Sequence, residues 1–241
     1  MTHIDAQGKY FKQLNQEIRA EKDPEITVDN CMGQRYIGAG MSKKKLLIHG
    51  VPGNALGCYL DGGAIRVTGN AQDQTGDTMN DGTILVEGSS GDATGYSMRG
   101  GKIFVRGNAG YRVGIHMKAY REKQPLIIIG GETGSFLGEY QAGGTIIVLG
   151  LNSSRQVPVG NLSCTGMHGG RLYLRCEALP ADLPKQVNAA KATAEDMAAV
   201  SGFLDEFCRA FSISQEEILS KPFFVITPNS SNPYKELYTF N

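Results

Sequence analysis

Glycine at fixed spacing is the feature that most limits what this 241-residue chain can fold into. One column runs Gly50, Gly69, Gly88, Gly107, Gly131, Gly150, and a second runs Gly57, Gly76, Gly95, Gly114, Gly138. A third, Gly63, Gly82, Gly101, Gly144, Gly170, ends each unit. Most steps are 19 residues; the Gly107–Gly131 step is 24 and the Gly144–Gly170 step is 26. Between the glycines, Ile65-Arg66-Val67, Ile84-Leu85-Val86, Ile103-Phe104-Val105, Ile127-Ile128-Ile129 and Ile146-Ile147-Val148 share one register. β-Branched residues at i and i+2 place two side chains on one face of a strand. A helical reading fails, because each glycine costs about 1 kcal/mol inside a helix.

A unit this short cannot bury its own apolar face, but copies stacked on one another can. The expected fold is mainly β: a right-handed parallel β-helix, a single-stranded solenoid of 19-residue coils, with helical N- and C-terminal flanks. Each coil is expected to hold three short strands and three glycine corners, with Val67, Val86, Val105, Ile129 and Val148 in one inward row. A sandwich of short strands explains the alternation but not the glycine columns. The expected units are a helical cap (1–27), the β-helix (28–177), and a linker with C-terminal helices and tail (178–241). Residues 5–22 read as a helix through Tyr10, Phe11, Leu14 and Ile18. Thr193-Ala-Glu-Asp196 reads as a capping box before Met197, Val200, Leu204, Phe207 and Phe211, and Ser214 opens a second short helix. Ala178–Ala192, with Pro180 and Pro184, reads as linker. The flanks are expected to cap the open ends of the stack, with partner docking by the C-terminal helices as the alternative.

The pattern G-x-I-x-V-x-G-x-A-G-x-x-x-G-x-x-M-x-G-G is clearest in GETGSFLGEYQAGGTIIVLG (Gly131–Gly150) and GNAGYRVGIHM (Gly107–Met117). Over about residues 28–176 it resembles the GXGXG-motif domain of the glutamate synthase large subunit. One subunit of formylmethanofuran dehydrogenase has a similar repeat. The flanks GQRYIGAG (Gly33–Gly40) and PNSSNPYKELY (Pro228–Tyr238) resemble stand-alone, single-domain forms found in some prokaryotes. The resemblance implies a β-helical spacer lying between glutaminase and flavin-binding parts. It implies a glutaminase-type subunit and a flavin/iron–sulfur synthase subunit as partners. FMN and the iron–sulfur cluster would sit on those partners, with no cofactor on this chain and no catalytic residue in it. Such a complex moves ammonia from glutamine to 2-oxoglutarate and reduces the product to glutamate. A scaffold in a formylmethanofuran dehydrogenase-like complex is the alternative. The chain begins Met1-Thr2-His3, without the N-terminal cysteine that the glutaminase uses, and its cysteines are dispersed.

The remaining composition narrows the chemistry. Twenty-four basic and 24 acidic residues give a formal net charge of +0, so no electrostatic footprint for nucleic acid or an anionic membrane is expected. No apolar run reaches the roughly 18–20 residues of a membrane span, and the polar start Met1–Lys12 argues for a cytoplasmic location. Cys31, Cys58, Cys164, Cys176 and Cys208 include no C-x-x-C pair and read as reduced thiols; the four histidines show no metal-ligand spacing. Asp73 and Asp92 share a column, so they should sit about 5 Å apart on adjacent units. They are the candidate metal or acid/base pair, against plain turn formation. A polysaccharide-active β-helix enzyme is the alternative from another class, but no acidic outer column supports it. The period breaks at Ala119–Pro125, holding Tyr120, Arg121, Glu122 and Lys123, and at Asn152–Ser163, holding Arg155. These breaks are expected to form one partner-binding ridge, against the alternative of tolerated surface insertions. Self-association into a homo-oligomer stays open.

Overall fold

Strand pairing follows the β-branched triplets. A computed structural model describes residues 2–232. Its elements begin with β1 (Thr2–Asp5), α1 (Phe11–Ala20), β2 (Glu25–Met32), β3 (Lys45–Val51) and β4 (Asp61–Val67). They continue with β5 (Asp81–Val86), β6 (Lys102–Val105), β7 (Leu126–Ile129), β8 (Ala142–Val148) and β9 (Gly169–Arg175). Last come β10 (Val187–Lys191), α2 (Ala194–Phe211), α3 (Gln215–Leu219) and β11 (Phe223–Pro228). From β4 onward the parallel pairs bring the triplets into line: Val67 opposite Val86, Val86 opposite Val105, Val105 opposite Ile129, Ile129 opposite Val148.

The expected right-handed parallel β-helix with three strands per coil is corrected here. The 11 strands form one mixed sheet, in the order β1-β2-β3-β4-β5-β6-β7-β8-β9-β11-β10. It is parallel from β1 to β9 and antiparallel where β11 joins β9 and β10. Each 19-residue unit supplies one strand. The rest of the unit is turn, linked to its neighbours by single bridges such as Ala71–Ser90–Ala109–Thr133. The physical reason lies in the backbone between strands, where left-handed residues recur. Ala55, Tyr59, Gln74, Thr78, Ala93 and Ser97 all have φ between 51° and 62°. Extended pairing cannot run through such residues.

Two other expectations change. The first segment is not a helix from residue 5; β1 pairs in parallel with β2, and α1 starts at Phe11. The segment expected to be linker carries β10, an edge strand of the sheet. The tail beyond residue 232 lies outside the described residues.

Glycine lets the units approach. Gly88 donates to the carbonyl of Gly69 (3.0 Å), Gly107 to Gly88 (2.8 Å) and Gly131 to Gly107 (2.8 Å). Gly76, Gly95 and Gly114 donate likewise to Leu56, Thr75 and Thr94 of the preceding unit. Gly95 has φ +72°, and a Cβ there would overlap Cδ1 of Ile127. The isoleucines therefore reach across the core into space that only a hydrogen atom leaves open. Gly50 is stricter: at φ +121° its Cβ would overlap the carbonyl of Cys31.

The sheet buries one face along its length and the other in its later part. One face packs Ile65, Val67, Ile84, Val86, Ile103 and their successors against Leu60, Met79, Met98 and Met117 from the turns. The other face is apolar only in its later part, where Phe104, Leu126, Ile128, Ile147 and Tyr173 lie under α2. Val200, Leu204, Phe207 and Phe211 of α2 fill that strip, with the Phe104 and Phe207 rings 5.8 Å apart. Thr193 caps α2 in a reciprocal box with Asp196, as its sequence pattern predicts. Polar pins hold the helix: Lys102 to Glu206 at 2.6 Å, Arg66 to the carbonyl of Ala210 at 2.9 Å, and Arg171 to Asp196 at 2.9 Å. Thus α2 covers a sheet face instead of capping an end. The ends are closed by α1, through Leu14 and Ile18, and by Leu179, Leu183 and Val187.

Arg175 is the buried pin of the C-terminal part. Its guanidinium donates to the carbonyls of Ile218 (2.6 Å), Glu217 (2.8 Å) and Leu149 (3.0 Å), and to the Ser220 hydroxyl (3.0 Å). A planar fork makes these bonds simultaneously, whereas an ammonium cannot.

The packing sets the expected cost of substitutions on each face. Val105→Asp buries a carboxylate with no partner and should cost several kcal/mol, read by chemical denaturation. The exposed replacement Arg106→Asp should change stability by less than about 0.5 kcal/mol. Phe207→Ala should cost about 3–5 kcal/mol. In hydrogen exchange it should release α2 amides while those of β4 and β5 stay protected; equal loss in both regions would contradict the two-face description.

Candidate functional site

Because the interior is filled, the polar chemistry lies on the turns. Asp73 Oδ1 accepts the backbone N–H of Asp92 at 2.9 Å, and Asp92 Oδ1 accepts that of Tyr111 at 2.8 Å. A second row does the same: Asn70 accepts from Ser89, Ser89 from Asn108, and Asn108 from Glu132, at 2.8–3.0 Å. Each side chain thus satisfies an amide that the interrupted sheet leaves open. Asp73 and Asp92 act as rungs, one oxygen each committed to the next unit. Among the described residues no group of three or more His, Cys, Asp or Glu could hold a metal ion. Burial pushes the thiols up, Cys31, Cys58 and Cys176 to about 11 and Cys164 to about 12, so they stay protonated at neutral pH.

The two breaks in the period are not brought together. In the first, Tyr120 and Lys123 exchange backbone hydrogen bonds of 3.0 Å, and Arg121 lies 5.2 Å above the Tyr120 ring. Glu122 is exposed. Lys123 reaches back over two units to Asp61 (3.3 Å) and Asp81 (3.2 Å), and its hydrogen bond to Asp81 raises its pKa. This break precedes the start of β7. The second break follows the end of β8. There Arg155 pairs with Glu132 (3.3 Å) and donates to the carbonyl of Val159 (3.2 Å). The strands separate the two, so the expected single ridge does not form. Instead Arg155, Val157, Leu162, Pro180 and Asp182 line a cleft of about 730 Å³, in which the Leu162 N–H donates to Asp182 Oδ2 at 2.6 Å.

Two features escaped the sequence. His116 stacks on Tyr140 (5.2 Å, 9°) and meets Tyr96 edge-on at 6.0 Å, giving an aromatic row across three turns. Gln141 stands in the methionine column, fully buried, with its Oε1 unpaired and Nε2 bonded to Gly143 and Gly144 carbonyls. The break in the Leu60, Met79, Met98, Met117 column was the available signal. No helix among the described residues is long and apolar enough to cross a membrane.

The rung assignment predicts that Asp92→Asn, which keeps an acceptor oxygen, stays within about 0.5 kcal/mol of the parent, while Asp92→Ala costs about 1 kcal/mol. Calcium should leave the melting temperature of the parent unchanged. A calcium-dependent rise abolished in Asp92→Asn would make the pair a metal site.

Comparison with known proteins fits this geometry. The family described as "GXGXG motif" matches residues 14–228. The uncharacterized protein MJ1350 of Methanocaldococcus jannaschii is 44% identical over 250 residues, covering 98% of this chain and 95% of that protein. The fold is similar to a chain in the X-ray structure of the formyltransferase/hydrolase complex FhcABCD from Methylorubrum extorquens, determined in complex with methylofuran. That match has a TM-score of 0.61 at 20% identity and covers 88% of each chain. With a family match that runs from within α1 to the end of β11, the chain belongs to the GXGXG motif family.

Proposed function

We propose that the chain is a non-catalytic scaffold subunit of a glutamate synthase-like oxidoreductase complex, spacing and orienting the active sites of its partners. The observation that carries this reading is the solid interior: the rows Ile65–Ile146 and Val67–Val148 have no solvent exposure and fill the space under the turns. What remains for function is a stiff outer surface, and repeat-built surfaces serve recognition. The GXGXG family match over residues 14–228 supports the reading. The partners would be a glutaminase-type subunit and a flavin/iron–sulfur subunit carrying FMN and the cluster. Tyr120, Arg121, Glu122 and Lys123 would anchor one partner, and Arg155 beside its cleft the other. A second reading, a scaffold in a formylmethanofuran dehydrogenase-like complex, is favoured by one observation: the fold neighbour comes from FhcABCD.

Reconstitution with candidate subunits encoded in the same genome tests the proposal. The chain alone should show no flavin or iron–sulfur absorbance and no glutaminase activity. The complete mixture should couple glutamine hydrolysis to glutamate formation, and omitting this chain should uncouple them. Stoichiometric flavin on the purified chain, or coupling unchanged by its omission, would overturn the proposal. Assembly only with formyltransferase/hydrolase-type subunits would replace it with the second reading.

A further inference from the structure

Three hollows run side by side around α1. The first lies between Tyr10, Phe11, Met32 and Arg35, and the second between Phe11, Lys12, Arg19, Tyr36 and Ala39. The third lies between Asn15, Arg19 and the loop Gly38–Lys44. Neighbouring hollows share residues: Phe11 joins the first to the second, and Asn15, Arg19 and Ala39 join the second to the third. Together they form one groove, with volumes of about 390, 480 and 360 Å³ along its course.

The charges along this groove are one-sided. Lys9, Lys12, Arg19, Arg35, Lys43 and Lys44 line it, and no Asp or Glu stands among the lining residues. That is unexpected in a chain of net charge +0. Two of the cations are occupied. Lys9 pairs with Glu17, and Lys44 donates to the carbonyls of Ile18, Arg19 and Glu21, closing the end of α1. The other four, Lys12, Arg19, Arg35 and Lys43, are exposed and make no ion pair among the described residues. Beside them stand exposed apolar groups: Met32 is 77% exposed, Tyr10 61% and Tyr36 46%. The Phe11 ring supports both tyrosines, at centroid distances of 4.6 and 5.8 Å. Cations beside exposed aromatic and methionine side chains have the composition of a recognition surface.

We infer that this groove binds an extended acidic peptide segment of a partner chain. The spacing supports that occupant. Lys12 and Arg19 lie two turns apart on one side of α1, about 10 Å. An extended peptide advances about 7 Å between alternate residues and about 13 Å over four, and the long Lys12 and Arg19 side chains take up the difference, so carboxylates on alternate residues meet both cations while intervening apolar side chains meet Tyr36 and Phe11. Four cations beside a neutral body suit a short acidic segment better than a long polyanion, whose binding needs a broad positive field. The inference concerns this groove alone and holds whichever complex the chain serves.

The test uses the full chain and a labelled peptide of about ten residues alternating Glu with Leu or Ala, read by fluorescence anisotropy. Binding is expected to weaken as salt rises. It should fall about tenfold in Lys12→Gln/Arg19→Gln, two exposed replacements that leave the α1 core contacts in place. The control Arg99→Gln/Lys118→Gln, equal in charge but on the turns, should bind like the parent. An uncharged Gln-for-Glu peptide should not bind. Equal affinity in parent and groove variant, or equal loss in the control variant, would overturn the inference. So would a single-stranded oligonucleotide of equal charge that binds more tightly than the peptide and is lost in the same groove variant. Circular dichroism of each variant separates loss of binding from loss of fold. None of these outcomes depends on whether the reconstituted complex couples its reactions.

Discussion

Close backbone approach between successive units is the constraint on which everything else depends. Strand rows pair in register, and Gly88, Gly107, Gly131 and Gly150 each donate to the carbonyl of the column glycine one unit before, at 2.8–3.1 Å. A side chain at Gly50 or Gly69 would occupy the space of a neighbouring carbonyl, and one at Gly57, Gly76, Gly95 or Gly114 that of an isoleucine methyl. Large residues on the strands and hydrogen atoms on the turns are therefore a single packing solution. The cost is a backbone that turns through left-handed conformations at non-glycine residues such as Thr78 and His116. The side-chain rungs Asp73, Asp92, Asn70 and Asn108 offset part of it by accepting amides that no strand would satisfy.

That packing also explains where function can reside. The core between sheet and turns is closely packed and mainly apolar, with Gln141 among its buried polar members. The later part of the second sheet face is closed by α2, and Arg175 of β9 holds the end of α3 and the residue after β8 through four hydrogen bonds. The surfaces left open are the turns, the cleft beside Arg155 and the basic groove around α1. A body of this kind holds its surfaces at fixed separations, which is what a spacer between active sites requires.

Much of this was legible in the residues, for identifiable reasons. The triplets set strand register because β-branched residues at i and i+2 have one sensible placement. Thr193 and Asp196 marked the start of α2 because a capping box is local chemistry. The number of strands per unit was not legible, since it depends on φ at residues such as Ala55 and Gln74, which carry no obvious turn signal. The position of α2 was half legible. The middle residue of the triplet is Arg66 early but Phe104, Ile128 and Ile147 later, a strip needing cover. The basic groove was illegible, because its cations are scattered from residue 12 to residue 43 and meet only through packing. The ridge expected from the two period breaks, read as following the same half of neighbouring units, does not form because one break precedes β7 and the other follows β8, at opposite ends of the strands.

Native mass spectrometry of the tagged chain isolated from its own cells tests the scaffold account most directly. The account predicts a complex whose mass exceeds that of the 25.9 kDa chain by different polypeptides in fixed stoichiometry. A chain recovered only as a monomer, or only as whole-number multiples of itself, would contradict it.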